Sequence, residues 1–139
     1  MNNPSILYPV FALAALTGMV LLLIPFTRVR AVLRREIRAA DFRLGESDAV
    51  PDAVRLPNRN YMNLLELPVL FYVVCLLFYV AAQATPAAVW LAWAYVGLRA
   101  LHSAVHLTYN HVLHRLGLFA ASNVVLVMLW ILAATRLVR

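Results

Sequence analysis

Four apolar stretches of near membrane-spanning length occupy most of this 139-residue chain. Each has, or nearly has, the ~20 residues that cross a hydrocarbon core of ~30 Å as an α-helix. With 64% hydrophobic and only 13% charged residues, a soluble domain of this size would expose much of its apolar surface. The pattern therefore predicts an all-α integral membrane protein, a bundle of four transmembrane helices. The stretches run from about Ile6 to Phe26, Tyr61 to Ala82, Ala87 to Tyr109, and Leu116 to Leu132.

One four-helix membrane domain is predicted over residues 1–139, because the four stretches leave almost nothing for a separate soluble domain. We expect helices at about 5–40, 58–83, 86–110 and 115–136. The first is extended because residues 27–40 contain good helix formers and neither Pro nor Gly. The second is expected to begin near Pro57, which suits a first helical turn, and to kink at Pro68, which lacks a backbone donor.

The distribution of arginine predicts the orientation in the membrane. All twelve basic residues are Arg, and eight of them lie between the first and second stretches, whereas the link from Gln83 to Pro86 carries no charge. By the positive-inside rule, the long first loop should be cytoplasmic and both termini should lie outside. We interpret the net charge of +6 as a topology signal and an attraction to anionic lipid headgroups, so no nucleic-acid partner is predicted.

A row of polar side chains opens the second predicted helix. At 100° per residue, Asn63 lies about 40° from Arg59, and Glu66 lies about 20° from Arg59 on the other side. Ionisable groups at such depths cost roughly 2.5–3.5 kcal/mol each on insertion scales. The face that carries these three residues is therefore expected to line a site and not to face lipid.

A second polar row lies inside the third predicted helix. His102, His106 and Tyr109 fall about 60°, 20° and 80° to the same side of Arg99. Arg99 and Glu66 have opposite charge and lie within neighbouring helices, so we expect them to pair, because a buried pair is less costly than either ion alone. Such a pair alone would only join the two helices, and it does not explain why further polar residues share the same faces.

Arg115 follows a short polar segment. If the third helix continued to it, Arg115 would point about 160° away from Arg99. Asn110 to His114 are polar and short enough to form a turn, which would place Arg115 at the start of the fourth helix, over the mouth of the site. A simple cytoplasmic anchor is the alternative role.

A metal or haem site is a different interpretation of the histidines. His102 and His106 have the i, i+4 spacing of metal ligands, and His111 and His114 lie nearby. Because no cysteine or acidic cluster completes a usual shell and Arg99 would repel a cation, no metal is predicted. A non-enzymatic bundle that binds lipid or assembles with partners remains a third hypothesis.

The run Arg59-Asn60-Tyr61-Met62-Asn63-Leu64-Leu65-Glu66 resembles the Arg-x-x-x-Asn-x-x-Glu signature that opens the second helix of the MAPEG family, the membrane-associated proteins in eicosanoid and glutathione metabolism. The pattern Arg99-x-x-His102, with Arg115 sixteen residues after Arg99, is similar to the branch of microsomal prostaglandin E synthases and glutathione transferases. The chain resembles a bacterial-type member nearest that branch. The resemblance covers nearly the whole chain and rests on about six sharply matching positions.

The resemblance implies a homotrimer with glutathione sites between neighbouring subunits, near the cytoplasmic side. Glutathione carries two carboxylates and one ammonium, so arginines can bind the acids while Glu66 meets the amine. Arg115 would hold the sulfur as a thiolate, with Tyr109 as a further candidate donor, because the thiol pKa of ~8.5 must be lowered to make a good nucleophile. The implied glutathione-binding residues are Arg59, Asn63, Glu66, Arg99, His102 and His106, with Arg28 or Arg30 from the end of the first helix.

The predicted activity is a glutathione-dependent transfer or peroxidase reaction. Its partners would be membrane lipids and a hydrophobic small-molecule electrophile that arrives from the bilayer. His106 stands where eicosanoid members tend to have Tyr, Leu116 follows Arg115 where the prostaglandin branch has a hydroxyl residue, and Met62 replaces a polar residue. Prostaglandin or leukotriene synthesis is therefore not predicted. A non-catalytic bundle that binds a glutathione-like or lipid ligand is the alternative.

Overall fold

All regular structure in the described part of the chain is helical, as the sequence predicts. The computed structural model describes residues 3–43, 45 and 48–138. Within these residues the chain forms five α-helices and two 3-10 turns, the latter at Pro4–Ile6 and Ala39–Phe42. The α-helices are α1 (Leu7–Leu33), α2 (Asp52–Leu65), α3 (Pro68–Val80), α4 (Pro86–Leu107) and α5 (Val112–Leu137).

Three helical segments of the described residues are long and apolar enough to cross a membrane: Pro4–Leu33, Asp52–Val80 and Val112–Leu137. The second of these, called the second span below, contains both α2 and α3. α4 is less apolar because its polar row lies within it, but its 22 residues extend ~33 Å, which is enough to cross beside the others. Large apolar side chains such as Leu22 (71% exposed) and Trp90 (75% exposed) cover the outer surface. The chain is a multi-pass integral membrane protein.

The first helix ends earlier than predicted, at Leu33 instead of near residue 40. Arg35 adopts a left-handed backbone with φ of 58°. The Glu36 N–H then bonds to the Ala31 carbonyl at 3.1 Å, and the Arg35 N–H bonds to the Val32 carbonyl at 2.9 Å, which are the two bonds of a Schellman motif. The chain turns back because a small apolar cluster forms at this end, made of Ala31, Ile37, Val50 and Val54.

The second span begins earlier than predicted and is broken in the middle. α2 starts at Asp52, so Pro57 lies inside the helix, and Val54 in the first turn is buried in the cluster just described. α2 ends at Leu65 and α3 begins at Pro68, so the kink expected at this proline is present as an interruption of the helix. The missing proline N–H explains why the helical hydrogen-bond ladder stops there.

One half of the bundle, called the apolar half below, holds most of the hydrophobic core. Phe71 of α3 stacks on Tyr95 of α4, with ring centroids 4.6 Å apart and planes inclined by 18°. Ala88 and Ala92 are fully buried and present little bulk between the helices. Cys75 is also fully buried, as expected of an inert thiol. The apolar half comprises Phe71, Val74, Cys75, Phe78, Ala88, Ala92 and Tyr95.

Candidate functional site

The other half of the bundle brings the two predicted polar rows together between α2 and α4. Ser103 Oγ donates to Asn60 Oδ1 across this interface at 3.2 Å, and both side chains are buried. Arg99, which is fully buried, donates from Nη2 to the main-chain carbonyl of Asn63. His102 and His106 are buried on the same side of α4. We call this region the polar half; it comprises Asn60, Asn63, Arg99, His102, Ser103, His106 and Arg115.

A cavity of about 230 Å³ lies at the polar half, where α2 and α4 meet the start of α5. Three of the predicted site residues, Asn63, His102 and Arg115, share this cavity although they come from three different helices. A larger groove of about 600 Å³ between α3 and α5 is lined almost entirely by apolar side chains and by none of the predicted site residues. The smaller cavity is therefore the better candidate site. Its lining is Asn63, His102, Val112, Arg115, Leu116 and Phe119.

Arg115 lies in the first turn of α5, because α4 ends at Leu107 and α5 begins at Val112. Asn110 in the connection has a left-handed backbone with φ of 46°, and its Oδ1 accepts from Arg115 Nη1 at 2.7 Å. This turn reverses the chain and places the guanidinium beside the cavity, instead of on the far side of a continued α4. The position is the one that the polar segment before Arg115 predicts.

His102 is held by a hydrogen bond between its ring and the main chain of α5. Its Nδ1 lies 3.1 Å from the Arg115 carbonyl oxygen. Because a carbonyl can only accept, Nδ1 must carry the proton, and in the neutral ring Nε2 is then an acceptor. The His102–Arg115 contact thus fixes both the ring orientation and the tautomer.

Several buried nitrogens of the polar half have no hydrogen-bond partner within the described residues. They belong to four side chains, and both ring nitrogens of His106 are among them. Buried polar atoms in folded proteins are nearly always paired, so such a cluster can bind further polar atoms. The remaining ones are Asn60 Nδ2, Arg99 Nε and Nη1, and His102 Nε2.

The expected ion pair between Glu66 and Arg99 is wrong for the single chain. Among the described residues, Arg34 pairs with Glu36 at 3.9 Å and Arg55 with Asp48 at 4.0 Å, and no ion pair within 4.0 Å joins Glu66 to Arg99. Glu66 has a ψ of −104° at the end of α2 and is exposed. Glu66 is thus exposed at the interruption of the helix, while Arg99 binds a backbone carbonyl instead.

Four further predicted residues lie outside the cavity in the single chain. Arg59 and Arg30 are exposed. Arg28 lies over the Phe42 ring, with 4.7 Å between its guanidinium carbon and the ring centroid. Tyr109 is 61% exposed, and its hydroxyl is hydrogen-bonded to His114 Nδ1 at 3.0 Å. None of these four side chains lines the cavity in one chain.

Some residues of the polar half were not predicted. Ser103 lies four residues after Arg99, about 40° away on the helix, so the same periodicity could have included it. Its partner Asn60 lies within the signature run but off its marked positions. Phe119 of the cavity wall, one turn beyond Arg115, was not predicted either. Its ring centroid lies 5.7 Å from the Arg99 guanidinium carbon and 6.0 Å from the centroid of the His102 ring. An aromatic residue on an apolar helix gives no sequence signal for such a role.

The histidines do not form a metal shell in the described part of the chain. The rings of His102 and His106 meet edge to face, with centroids 5.8 Å apart. No group of three His, Cys, Asp or Glu side chains among the described residues lies close enough to hold a metal ion. This geometry gives the metal hypothesis no support.

Comparison with known proteins identifies the family. The model of the MAPEG family matches residues 6–135, which include all of the predicted site residues and both polar rows. No curated protein and no solved structure gives a significant match. The matched segment runs from just before α1 to the last turn of α5. The chain belongs to the MAPEG family, which includes glutathione-dependent transferases and peroxidases.

Proposed function

We propose that this protein is a membrane-embedded, glutathione-dependent transferase or peroxidase that acts on hydrophobic electrophiles. The observation that carries the proposal is the convergence of Asn63, His102 and Arg115 on one cavity in a chain of the MAPEG family, whose members use glutathione. Glutathione presents two carboxylates, an ammonium and a thiol. Arginine side chains, Glu66 and the unpaired nitrogens of the polar half match these groups in charge and in hydrogen-bonding capacity.

Arg115 is proposed to stabilise the thiolate. Its guanidinium donates one N–H to Asn110 and has further N–H donors, which can bind sulfur. In transfer, the thiol first loses its proton to water, and the thiolate sulfur then forms a bond to an electrophilic carbon. The leaving group, chloride in a chloronitrobenzene, departs with the electrons of the broken carbon–chlorine bond. In peroxide reduction, the sulfur takes one peroxide oxygen, the released alkoxide takes a proton, and a second glutathione displaces water to form the disulfide.

The complete site is proposed to lie between subunits of a homotrimer, near the cytoplasmic side. A cavity of about 230 Å³ is smaller than the roughly 300–1,000 Å³ of pockets that hold drug-sized ligands. Glu66, Arg59 and Arg30 are exposed in the single chain, so a neighbouring copy could complete the site with them. MAPEG proteins generally form trimers in membranes, which supports this arrangement.

The hydrophobic substrate is proposed to reach the site sideways from the bilayer. Two side chains of the cavity wall, Val112 and Leu116, are 65% and 59% exposed. Both belong to α5, one of the apolar spanning segments. An apolar electrophile can therefore approach the cavity along a surface that acyl chains also cover.

Glutathione binding is tested by thermal unfolding in detergent. We expect glutathione to raise the melting midpoint of the parent protein, and Arg59→Ala or Glu66→Ala to abolish that shift. Arg55→Ala is the matched control, because Arg55 lies on the same helix and pairs with Asp48 away from the cavity. A parent protein without any shift would contradict the proposal.

A non-catalytic bundle that binds a glutathione-like or lipid ligand is the second candidate. It is favoured by the existing bonds of the two proposed catalytic side chains, since Arg115 binds Asn110 and Tyr109 binds His114. Turnover of a chloronitrobenzene separates the two candidates. Saturable glutathione binding without conjugation or peroxide reduction would favour the binding protein.

The proposed orientation places both termini outside and the first loop in the cytoplasm. Cys75 is fully buried, so a single introduced cysteine can be labelled selectively with a membrane-impermeant maleimide. In right-side-out vesicles we expect labelling of Ala87→Cys, in the first turn of α4, and protection of Asp48→Cys. Asp48 and Ala87 are both exposed, so whether each position is labelled depends on which side of the membrane it faces. The reverse labelling pattern would overturn the orientation.

A further inference from the structure

The interruption of the second span leaves backbone carbonyls without their helical partners. Pro68 has no N–H to offer to the Leu64 carbonyl. Beyond it, the Val69 N–H bonds to the Glu66 carbonyl at 3.2 Å and the Leu70 N–H bonds to the Leu67 carbonyl at 3.0 Å. In a continuous helix the Leu67 N–H would bond to the Asn63 carbonyl. Among the described residues outside the helices, no main-chain N–H makes that bond. In a bilayer, such a carbonyl needs a partner from the protein, since lipid provides none.

Arg99 provides that partner from α4. Its side chain is fully buried, and Nη2 donates to the Asn63 carbonyl oxygen. The guanidinium also lies near the Phe119 ring, which forms part of the cavity wall. A charged donor to a carbonyl makes a stronger bond than a neutral one, which suits a contact that must hold two helices together.

The same carbonyl belongs to a residue of the candidate site. The Asn63 side chain lines the cavity and donates from Nδ2 to the Arg59 carbonyl at 3.0 Å. The main chain and the side chain of Asn63 are thus both hydrogen-bonded. Glu66 comes three residues later, at the end of α2 and just before the interruption. Whatever holds the Asn63 carbonyl also sets where the last turn of α2 presents its polar groups.

We propose that Arg99 is a positioning residue: it binds the carbonyl released by the break at Pro68 and so fixes Asn63 and Glu66 at the site. This role goes beyond a direct glutathione contact and rests on the proposed function only for its catalytic consequence. Arg99 and Pro68 act as a unit, since a continuous helix would supply backbone donors to the same carbonyls. The need for Arg99 should therefore depend on the proline.

The test uses hydrogen exchange of the full-length protein in detergent, without glutathione. Arg99→Met keeps the bulk and removes the donors, and we expect the amides of residues 64–67 and 69 to exchange at least about fivefold faster, as for the loss of one hydrogen bond. Arg99→Lys, which keeps a charged donor, should stay within about twofold of the parent. In a Pro68→Ala background, Arg99→Met should accelerate exchange less, because a helix that continues through position 68 can bring the Leu67 N–H to the Asn63 carbonyl.

Glutathione affinity gives the second measurement and separates the two proposals. Arg99→Met should weaken binding and Arg99→Lys should largely restore it. Unchanged exchange in Arg99→Met together with lost affinity would show a direct ligand contact and overturn the positioning role. Faster exchange in a protein that does not bind glutathione would keep the positioning role and overturn the proposed function. If Arg99→Met does not fold, Arg99→Gln, which has a neutral donor, takes its place in the same comparison.

Discussion

The two halves of α4 pack against their neighbours by opposite chemistry. In its first half, Ala88, Ala92 and Tyr95 are fully buried among apolar side chains, and the Tyr95 ring stacks on Phe71. In its second half, Arg99 and Ser103 bond to α2, while buried nitrogens of the two histidines have no partner within the described residues. Close packing stabilises the first half, whereas the second half combines a few hydrogen bonds with a capacity to bind polar groups.

This difference separates stability from function along a single helix. Within a bilayer, van der Waals packing and interhelical hydrogen bonds hold helices together, because lipid is as apolar as the side chains. Unpaired polar atoms are costly in this environment, so a region that keeps several of them close together is expected to have a ligand. Variants in the apolar half should therefore change stability most and spare binding, whereas variants in the polar half should change binding or turnover with smaller effects on stability.

The largest effect is expected from Phe71→Ala in the apolar half. Truncating a buried Phe costs about 3–5 kcal/mol in soluble cores, and we expect the lower end here because lipid surrounds the bundle. The free energy of unfolding, measured by denaturant titration of helicity in micelles, should fall by about 3 kcal/mol. The glutathione-induced shift in melting midpoint should persist in any folded fraction. Loss of glutathione affinity without loss of stability would contradict the separation.

Next in size is Arg115→Ala in the polar half. We expect conjugation of a chloronitrobenzene to slow at least tenfold, equivalent to about 1.4 kcal/mol, because the thiolate loses its cation. The control is Arg136→Ala, at the other end of the same helix, where the side chain is exposed. Turnover should be unchanged in that control. Equal rates in the two variants would remove Arg115 from the mechanism.

A smaller effect is expected at the hydrogen bond between Ser103 and Asn60. Interhelical hydrogen bonds in membranes contribute about 0.6 kcal/mol on average, and up to about 1.7. A double-mutant cycle with Ser103→Ala and Asn60→Ala should give a coupling energy in this range, measured by the same unfolding titration. A coupling near zero would mean that shape, and not this bond, joins α2 to α4 in the polar half.

The smallest effect is expected at the pair between Arg34 and Glu36, which lies outside both halves. Its atoms are 3.9 Å apart, and both side chains are about half exposed. Such pairs contribute about 0–1 kcal/mol, so Arg34→Ala should change the free energy of unfolding by less than about 0.5 kcal/mol. Glutathione binding should not change. A large loss of stability would give this end of α1 a structural importance that its exposure does not suggest.

Periodicity explains why much of this architecture could be predicted. Spacings of three, four and seven residues put Arg99, His102 and His106 on one face of a helix, and the same rule grouped Arg59 with Asn63. The effect of Pro68 was predictable because it follows from a missing donor. These features depend only on the local chain.

The failures of prediction come from tertiary contacts. No glycine or proline marks the end of α1, so the sequence gives no local signal for it. The turn at Arg35 instead accompanies the burial of Ile37 against Val54, a contact between distant parts of the chain. The same cluster moves the start of α2 to Asp52. Angles along a helix could place Glu66 on the polar face but could not show that it is exposed at the interruption and makes no ion pair with Arg99. Pairing of charges between helices therefore needs the backbone geometry, which the sequence pattern does not contain.

The exposure of Glu66 affects how stable a single copy of the protein is in a membrane. A single copy carries a carboxylate at the break within a segment that is apolar enough to cross a membrane, and this side chain is exposed on the surface of the chain. An ionisable side chain in a bilayer is energetically costly until a neighbouring subunit or a ligand covers that surface. If the chain forms the proposed homotrimer, assembly should follow insertion closely, and unassembled subunits should be the ones that membrane quality-control proteases remove first.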